Sequence, residues 1–164
     1  MLDCLWRRIW PSHAVLTNRK VRKNLKPSTR VYVLDANAVI RYLSDGIGQE
    51  KVALLIHRAA KGEARLFISL INWGEALYTL ARHVGLPRAT EDLKSLGTLV
   101  ESTAVDEAQT ESAAAIRLHY KLGYADCFAA ALTMRMNATL VTADPDFEKV
   151  GKQLKMLALP RHSG

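Results

Sequence analysis

The sequence predicts an α/β fold with a mainly parallel central sheet, and three observations carry that prediction. Short unbroken apolar runs recur at 31–34, 66–68 and 140–141, the pattern of strands buried on both faces. Segments between them repeat apolar residues at i, i+3, i+4 and i+7, the period of a helix with one buried face. The two patterns alternate along the chain, the order from which parallel sheets are built.

Each element has its own local reason. Val31-Tyr32-Val33-Leu34 reads as the first strand, and Asn37 can cap a helix to about Leu43 that Asp45-Gly46 ends. Val52, Leu55, Ile56 and Ala59 mark the next helix, with Gly62 as its stop. Leu66-Phe67-Ile68 is the second strand. Leu77, Leu80, Ala81 and Val84 continue as a helix with Glu75 at its head and Gly85 behind it. Pro87 opens another helix, with Leu93, Leu96 and Val100 facing inward. Val105 is placed in a short strand, and Asp106 leads a helix towards Leu122, closed by Gly123. Residues 127–132, Cys-Phe-Ala-Ala-Ala-Leu, are apolar nearly all round, so their helix should lie deep against the sheet. Residues 139–141 form a fourth strand and 154–159 supply a fifth. No internal repeat or low-complexity segment interrupts the order.

Composition narrows the class. A chain of 164 residues with 49% apolar content fits one domain with an ordinary core. No apolar run reaches the roughly 20 residues of a membrane-spanning helix, so no membrane role is expected. Cys4 and Cys127 form no paired motif, which suits a reducing cytoplasm. The histidines lack zinc-ligand spacing. The net charge of +7 is unevenly placed: residues 1–30 hold eight Lys/Arg against Asp3 alone, and the remainder sums to zero. Residues 1–30 therefore read as a basic N-terminal arm, residues 31–159 as the folded domain and 160–164 as a tail. The arm could contact nucleic acid. A disordered segment or a mis-assigned start is the favoured expectation, because the domain pattern begins cleanly at Val31.

Four carboxylates stand where apolar segments begin or end. Asp35 follows the first strand, Glu75 follows the second, Asp126 opens the apolar helix and Asp144 follows the fourth strand. Strand C-termini and helix N-termini share one edge of a parallel sheet, where ligand sites gather. Each acid alone has a structural reading. Glu75 lies three after Asn72, as in a capping box; Asp126 sits at a helix start; Asp144 precedes Pro145; Asp35 suits a turn. Together they would repel one another unless a cation lies between them. No Lys or Arg adjoins them in sequence, and an all-oxygen set suits Mg²⁺ or Mn²⁺.

Lesser candidates surround the four. Asn37 is either a support for Asp35 or a helix cap, and Thr142 either orients Asp144 or a water or is a plain strand threonine. Asp146 either joins the acids or is a solvated turn residue. Trp73 could stack on a base, and Arg82, His83 and Arg88 could touch phosphates, but core packing and solvated helix ends are the more economical readings. Cys127 has no histidine beside it and reads as a small core residue.

Four segments together resemble the PIN domain, most closely the VapC-type toxins of toxin–antitoxin pairs. They are Val-Leu-Asp-Ala-Asn-Ala-Val-Ile (33–40), Asn-Trp-Gly-Glu-Ala (72–76), Leu-Gly-Tyr-Ala-Asp-Cys-Phe-Ala-Ala-Ala (122–131) and Leu-Val-Thr-Ala-Asp-Pro-Asp-Phe (140–147). The resemblance covers about 31–159 and implies a three-layer α/β/α domain, Mg²⁺ or Mn²⁺ binding and endonucleolytic cleavage of RNA. It implies catalytic and metal-ligating roles for Asp35, Glu75, Asp126 and Asp144, the same acids chosen by position, with Asn37 as the small polar residue two after the first acid. It also implies a homodimer and a cognate antitoxin. Two alternatives remain at this point. One is a PIN-like module that binds RNA or a partner without cutting. The other is a haloacid-dehalogenase-like phosphotransferase, for which Asn37 replaces a needed Asp and the expected lysine is missing.

Overall fold

A computed structural model describes residues 29–161. The arm expectation therefore lies outside the described residues except for its last two positions, as do the final three residues of the tail.

The chain alternates as anticipated: β1 (Arg30–Leu34), α1 (Ala36–Leu43), α2 (Gln49–Ala60), β2 (Ala64–Ser69), α3 (Leu70–Val84), α4 (Leu86–Leu96), β3 (Val100–Thr103), α5 (Glu107–Tyr120), α6 (Tyr124–Met136), β4 (Thr139–Thr142), a 3₁₀ segment (Pro145–Gln153) and β5 (Met156–Ala158). The five strands lie in the order β3-β2-β1-β4-β5, and every pairing is parallel.

Side-chain alternation assigns the two faces of the sheet. Leu34, Leu66, Ile68 and Val141 join the core under α1 to α4. Val33, Phe67 and Leu140, their immediate neighbours in sequence, join the core under α5, α6 and the 3₁₀ segment. Successive strand residues point to opposite faces, so a strand that is apolar at every position must be covered twice. The result is three layers, α/β/α. Helix α6 lies deepest, with Cys127 through Thr133 all buried, as its unbroken apolar sequence requires.

Three boundaries differ from the sequence expectation. Helix α3 begins at Leu70, capped by the Ser69 hydroxyl accepting from the Ile71 N–H at 3.2 Å. Asn72 is therefore not its cap, and Glu75 lies in its second turn. Asp35, not Asn37, caps α1. Val100 belongs to β3 rather than to the preceding helix, which ends at Leu96 with Gly97 as its cap; its spacing from Leu93 and Leu96 continues the helical phase only by coincidence.

Candidate active site

Strand order reverses at β1, flanked by β2 on one side and β4 on the other, and the crevice at such a switch lies beyond the strands' carboxyl ends. Asp35 is the first residue past β1. Its backbone N–H still pairs with the Val141 carbonyl at 3.1 Å, so the sheet itself fixes its position. One carboxylate oxygen, Oδ1, accepts from the Ala36 N–H at 2.7 Å and caps α1. The other, Oδ2, accepts from the Thr142 hydroxyl at 2.8 Å.

Thr142 is the hub of this corner. Its single proton goes to Asp35, while its oxygen accepts from Asn37 Nδ2 at 3.1 Å and from the Asp144 N–H at 3.0 Å. That uses the full capacity of a hydroxyl group. Asn37 completes the ring by accepting from the Ala143 N–H on its Oδ1 at 3.0 Å. Both residues thus orient Asp35, through contacts 105 or more positions apart in sequence.

Helices bring the other acids. Glu75 projects from α3 and is exposed, whereas Asp126 in the first turn of α6 is half-buried; oxygens of Asp35, Glu75 and Asp126 all lie within 4.8 Å of one another. Asp144 and Asp146 stay outside that group. Asp144 caps the 3₁₀ segment by accepting from the Asp146 N–H at 2.8 Å, the turn role its place before Pro145 suggested. Asp146 pairs with Lys149 at 2.9 Å. Both still add negative charge at Asp126.

The electrostatics show the strain of this grouping. Burial is the main cause that raises the Asp35 carboxyl from an ordinary 3.8 to about 7; the charges of Asp126 and Glu75 add to the rise, and the hydrogen bonds from Thr142 and the Ala36 N–H work against it. Glu75 is raised by burial and then by Asp126. Asp126 is raised by burial and then by Asp144, against the Gly123 N–H and the Arg117 charge. Among the described residues no salt bridge reaches any of the three. Three oxygen donors in mutual repulsion, lacking a bonded cation, fit a hard divalent ion.

Three residues of the site gave little signal in the sequence. Asn72 is fully buried and donates through Nδ2 to the Ala125 carbonyl at 3.2 Å and, at the long limit of 3.5 Å, to Asp35. It ties the first acid to the turn carrying the third, and its Oδ1 has no partner. A Cβ at Gly123 would run into Asp126 Oδ2, so with any larger residue that carboxylate would have to turn aside. Arg117 lies nine residues before Asp126 yet acts on it in space, donating a hydrogen bond to the Leu122 carbonyl. The remaining candidates are structural: Trp73 packs on the first core, Arg82 lies over Tyr78 at 5.7 Å and Arg88 pairs with Asp92 at 2.9 Å. Cys127 is buried, which drives its thiol up to about 11, so it is no nucleophile.

Comparison with known families decides the relationship. The PIN domain profile matches residues 32–153. The chain belongs to the PIN domain family. As the profile spans β1 to the 3₁₀ segment, it contains all four acids and displaces the phosphotransferase alternative. No curated protein sequence matches the chain. Solved PIN-fold structures do. VapBC2 from Rickettsia felis, bound to a promoter DNA fragment, superposes with a TM-score of 0.64 at 18% identity, covering 79% of this chain and 99% of that one. DNA-bound VapBC from Salmonella typhimurium gives 0.62 at 17%, covering 79% and 98%. VapC20 from Mycobacterium tuberculosis, a toxin that cleaves the sarcin–ricin loop, gives 0.60 at 18%, covering 73% and 95%. At these identities the likeness is one of fold. Among the described residues no helix is long and apolar enough to cross a membrane.

Proposed function

We propose that this chain is a divalent-metal-dependent endoribonuclease, the toxin of a toxin–antitoxin pair, acting in the cytoplasm. The observation that carries the reading is the group of three carboxylates, Asp35, Glu75 and Asp126, with oxygens within 4.8 Å at the switch point of a PIN domain sheet. Asp35 and Asp126 are the principal ligands for Mg²⁺ or Mn²⁺, with Glu75 completing the set. Asp144 and Asp146 act from outside it through their charge at Asp126. When bound, such an ion supplies electrophilic stabilisation of a phosphodiester and lowers the pKa of water.

The chain's own residues do the rest. Thr142 and the Ala36 N–H fix the Asp35 carboxylate by both oxygens, so its approach to the ion is preorganised rather than searched for. Asn37 holds Thr142 in turn. Glu75 is the exposed acid of the three, and burial with the Asp126 charge raises its proton affinity. Its carboxylate is therefore the group to orient the attacking water and take its proton. A homodimer and a cognate antitoxin complete the proposal. The VapBC structures that resemble this fold each pair a toxin with its antitoxin, and exposed apolar residues at α3 and α4 (Tyr78, Val84 and Leu86) offer surface for a second copy.

Purified protein and generic RNA test the reading. Cleavage should stop with chelator and return with Mg²⁺ or Mn²⁺; RNA bound but never cut would leave the non-cutting module instead. Sedimentation should show a dimer at micromolar concentration. A small DNA-binding protein encoded beside this chain would support the antitoxin partner.

A further inference from the structure

The turn between α5 and α6, which borders the acidic site through the Arg117 charge at Asp126, also carries groups that the three acids do not use. Tyr124 is the first residue of α6, two before Asp126, and is 55% exposed. Its ring meets Phe128 edge-on at 5.0 Å and 86°, and Phe128 is fixed in the core. An exposed aromatic is thus held in one orientation by a buried one. Arg117, exposed in the last turn of α5, gives one guanidinium N–H to the Leu122 carbonyl and forms no salt bridge among the described residues. Lys121 is exposed, stands in the left-handed conformation at φ 55° as the cap of α5, and has no hydrogen bond from its side chain among the described residues.

A polyanion approaching three carboxylates needs cations at the rim, or repulsion keeps it away. On the β4 side the rim offers Asp144 and Asp146, and Lys149 there is already paired with Asp146 at 2.9 Å. The α5–α6 side offers Lys121, Arg117 with one N–H committed to the Leu122 carbonyl, and a buttressed aromatic ring. Cations for the backbone with an aromatic platform between them are how proteins hold single-stranded nucleic acid. Duplex RNA keeps its bases stacked and out of reach of such a platform.

We propose that the α5–α6 turn is the track that delivers single-stranded RNA to the acidic site, Tyr124 stacking on an unpaired base while Arg117 and Lys121 hold the flanking phosphates. This rests on the nuclease reading and names the surface that recognises its substrate.

Steady-state cleavage of a single-stranded RNA oligomer by the full chain tests it. Tyr124→Ala should raise KM about tenfold with kcat little changed, in keeping with the loss of one base–aromatic stack. Tyr124→Phe should restore KM, since the ring and not the hydroxyl is used. Lys121→Gln should flatten the dependence of log KM on log salt by about 0.7, one phosphate contact on a single strand. The rise in melting temperature with Mn²⁺ should stay intact in all three variants. An unchanged KM in Tyr124→Ala overturns the track while the nuclease reading stands. A KM effect accompanied by loss of the Mn²⁺ response overturns it too, because the residue then acts by displacing Asp126. An unchanged KM together with a shift from dimer to monomer would give the surface to a second copy of the chain. A wild-type protein that cuts no RNA removes both readings.

Discussion

Asp35 caps α1 with one oxygen, receives the Thr142 hydroxyl on the other and sits 2% exposed among apolar neighbours. Its proton is held to about 7 in the folded chain against 3.8 ordinarily. Between those values the folded state binds more protons than the unfolded one, so stability must fall as pH rises through the window. The raised Glu75 and Asp126 act in the same direction. In chelator, the melting temperature should decline from about pH 4 to about pH 7, and Asp35→Asn should remove much of that slope; a melting temperature that climbs over the same range would contradict the burial of an uncompensated acid. Thr142→Val should cost about 1–3 kcal/mol in a denaturant melt, since it strands the Asn37 amide and the Asp144 N–H and removes a donor to Asp35. Thr142→Ser should recover most of it. At this scale the sequence pointed to Asp35 by its place after an apolar strand, where an unpaired acid is rare, although a turn role suited it as well. It could not announce Arg117 or Asn72. Their partners lie across a turn or on another element, and Asn72 at capping-box distance from Glu75 suggested a cap that Ser69 supplies instead.

Elements were legible in proportion to the strength of their patterns. Helix α6 could be read from its composition, because a helix apolar all round has nowhere to lie but the interior. Strand β3 was placed several residues late. It is a short edge strand with Glu101 and Ser102 exposed, so it lacks the apolar run by which the central strands reveal themselves. The first turn of α3 was missed because its exposed Leu70 and Ile71 break the helical phase that the later residues keep. Gly123 was read only as a helix stop, yet it has a φ of −52° and a ψ of 151° that any residue adopts. Its need is for space beside Asp126. Gly123→Ala should therefore leave the circular dichroism spectrum and melting temperature of the chelated protein nearly unchanged while weakening Mn²⁺ binding about tenfold or more, the scale seen when support around a metal ligand is disturbed. Calorimetric titration giving wild-type affinity would show that Asp126 need not hold this position.

Over the whole molecule, the α/β class and a mainly parallel sheet followed from alternation and periodicity, and the three layers from the PIN resemblance, but strand order followed from neither. Nothing local tells β4 to pair with the far side of β1, and it is that pairing which creates the switch point and sets Thr142 against Asp35. The four motifs lie wholly outside residues 1–30, and the rest of the chain is charge-balanced. A chain starting at Thr29 should accordingly fold, respond to Mn²⁺ and cleave RNA as the full chain does; a tenfold loss of cleavage at low salt would assign the +7 charge of residues 1–30 a part in binding. The central claim is that Asp35, Glu75 and Asp126 form one divalent-cation site that drives RNA cleavage. Its most direct test measures cleavage and melting temperature together on chelated protein as Mn²⁺ is returned, for wild type and for Asp35→Asn/Asp126→Asn. The account predicts that both signals rise over the same Mn²⁺ range in the wild type, and that neither rises in the variant although it stays folded. A variant that still cuts RNA, or a wild type whose cleavage survives full chelation, would contradict it.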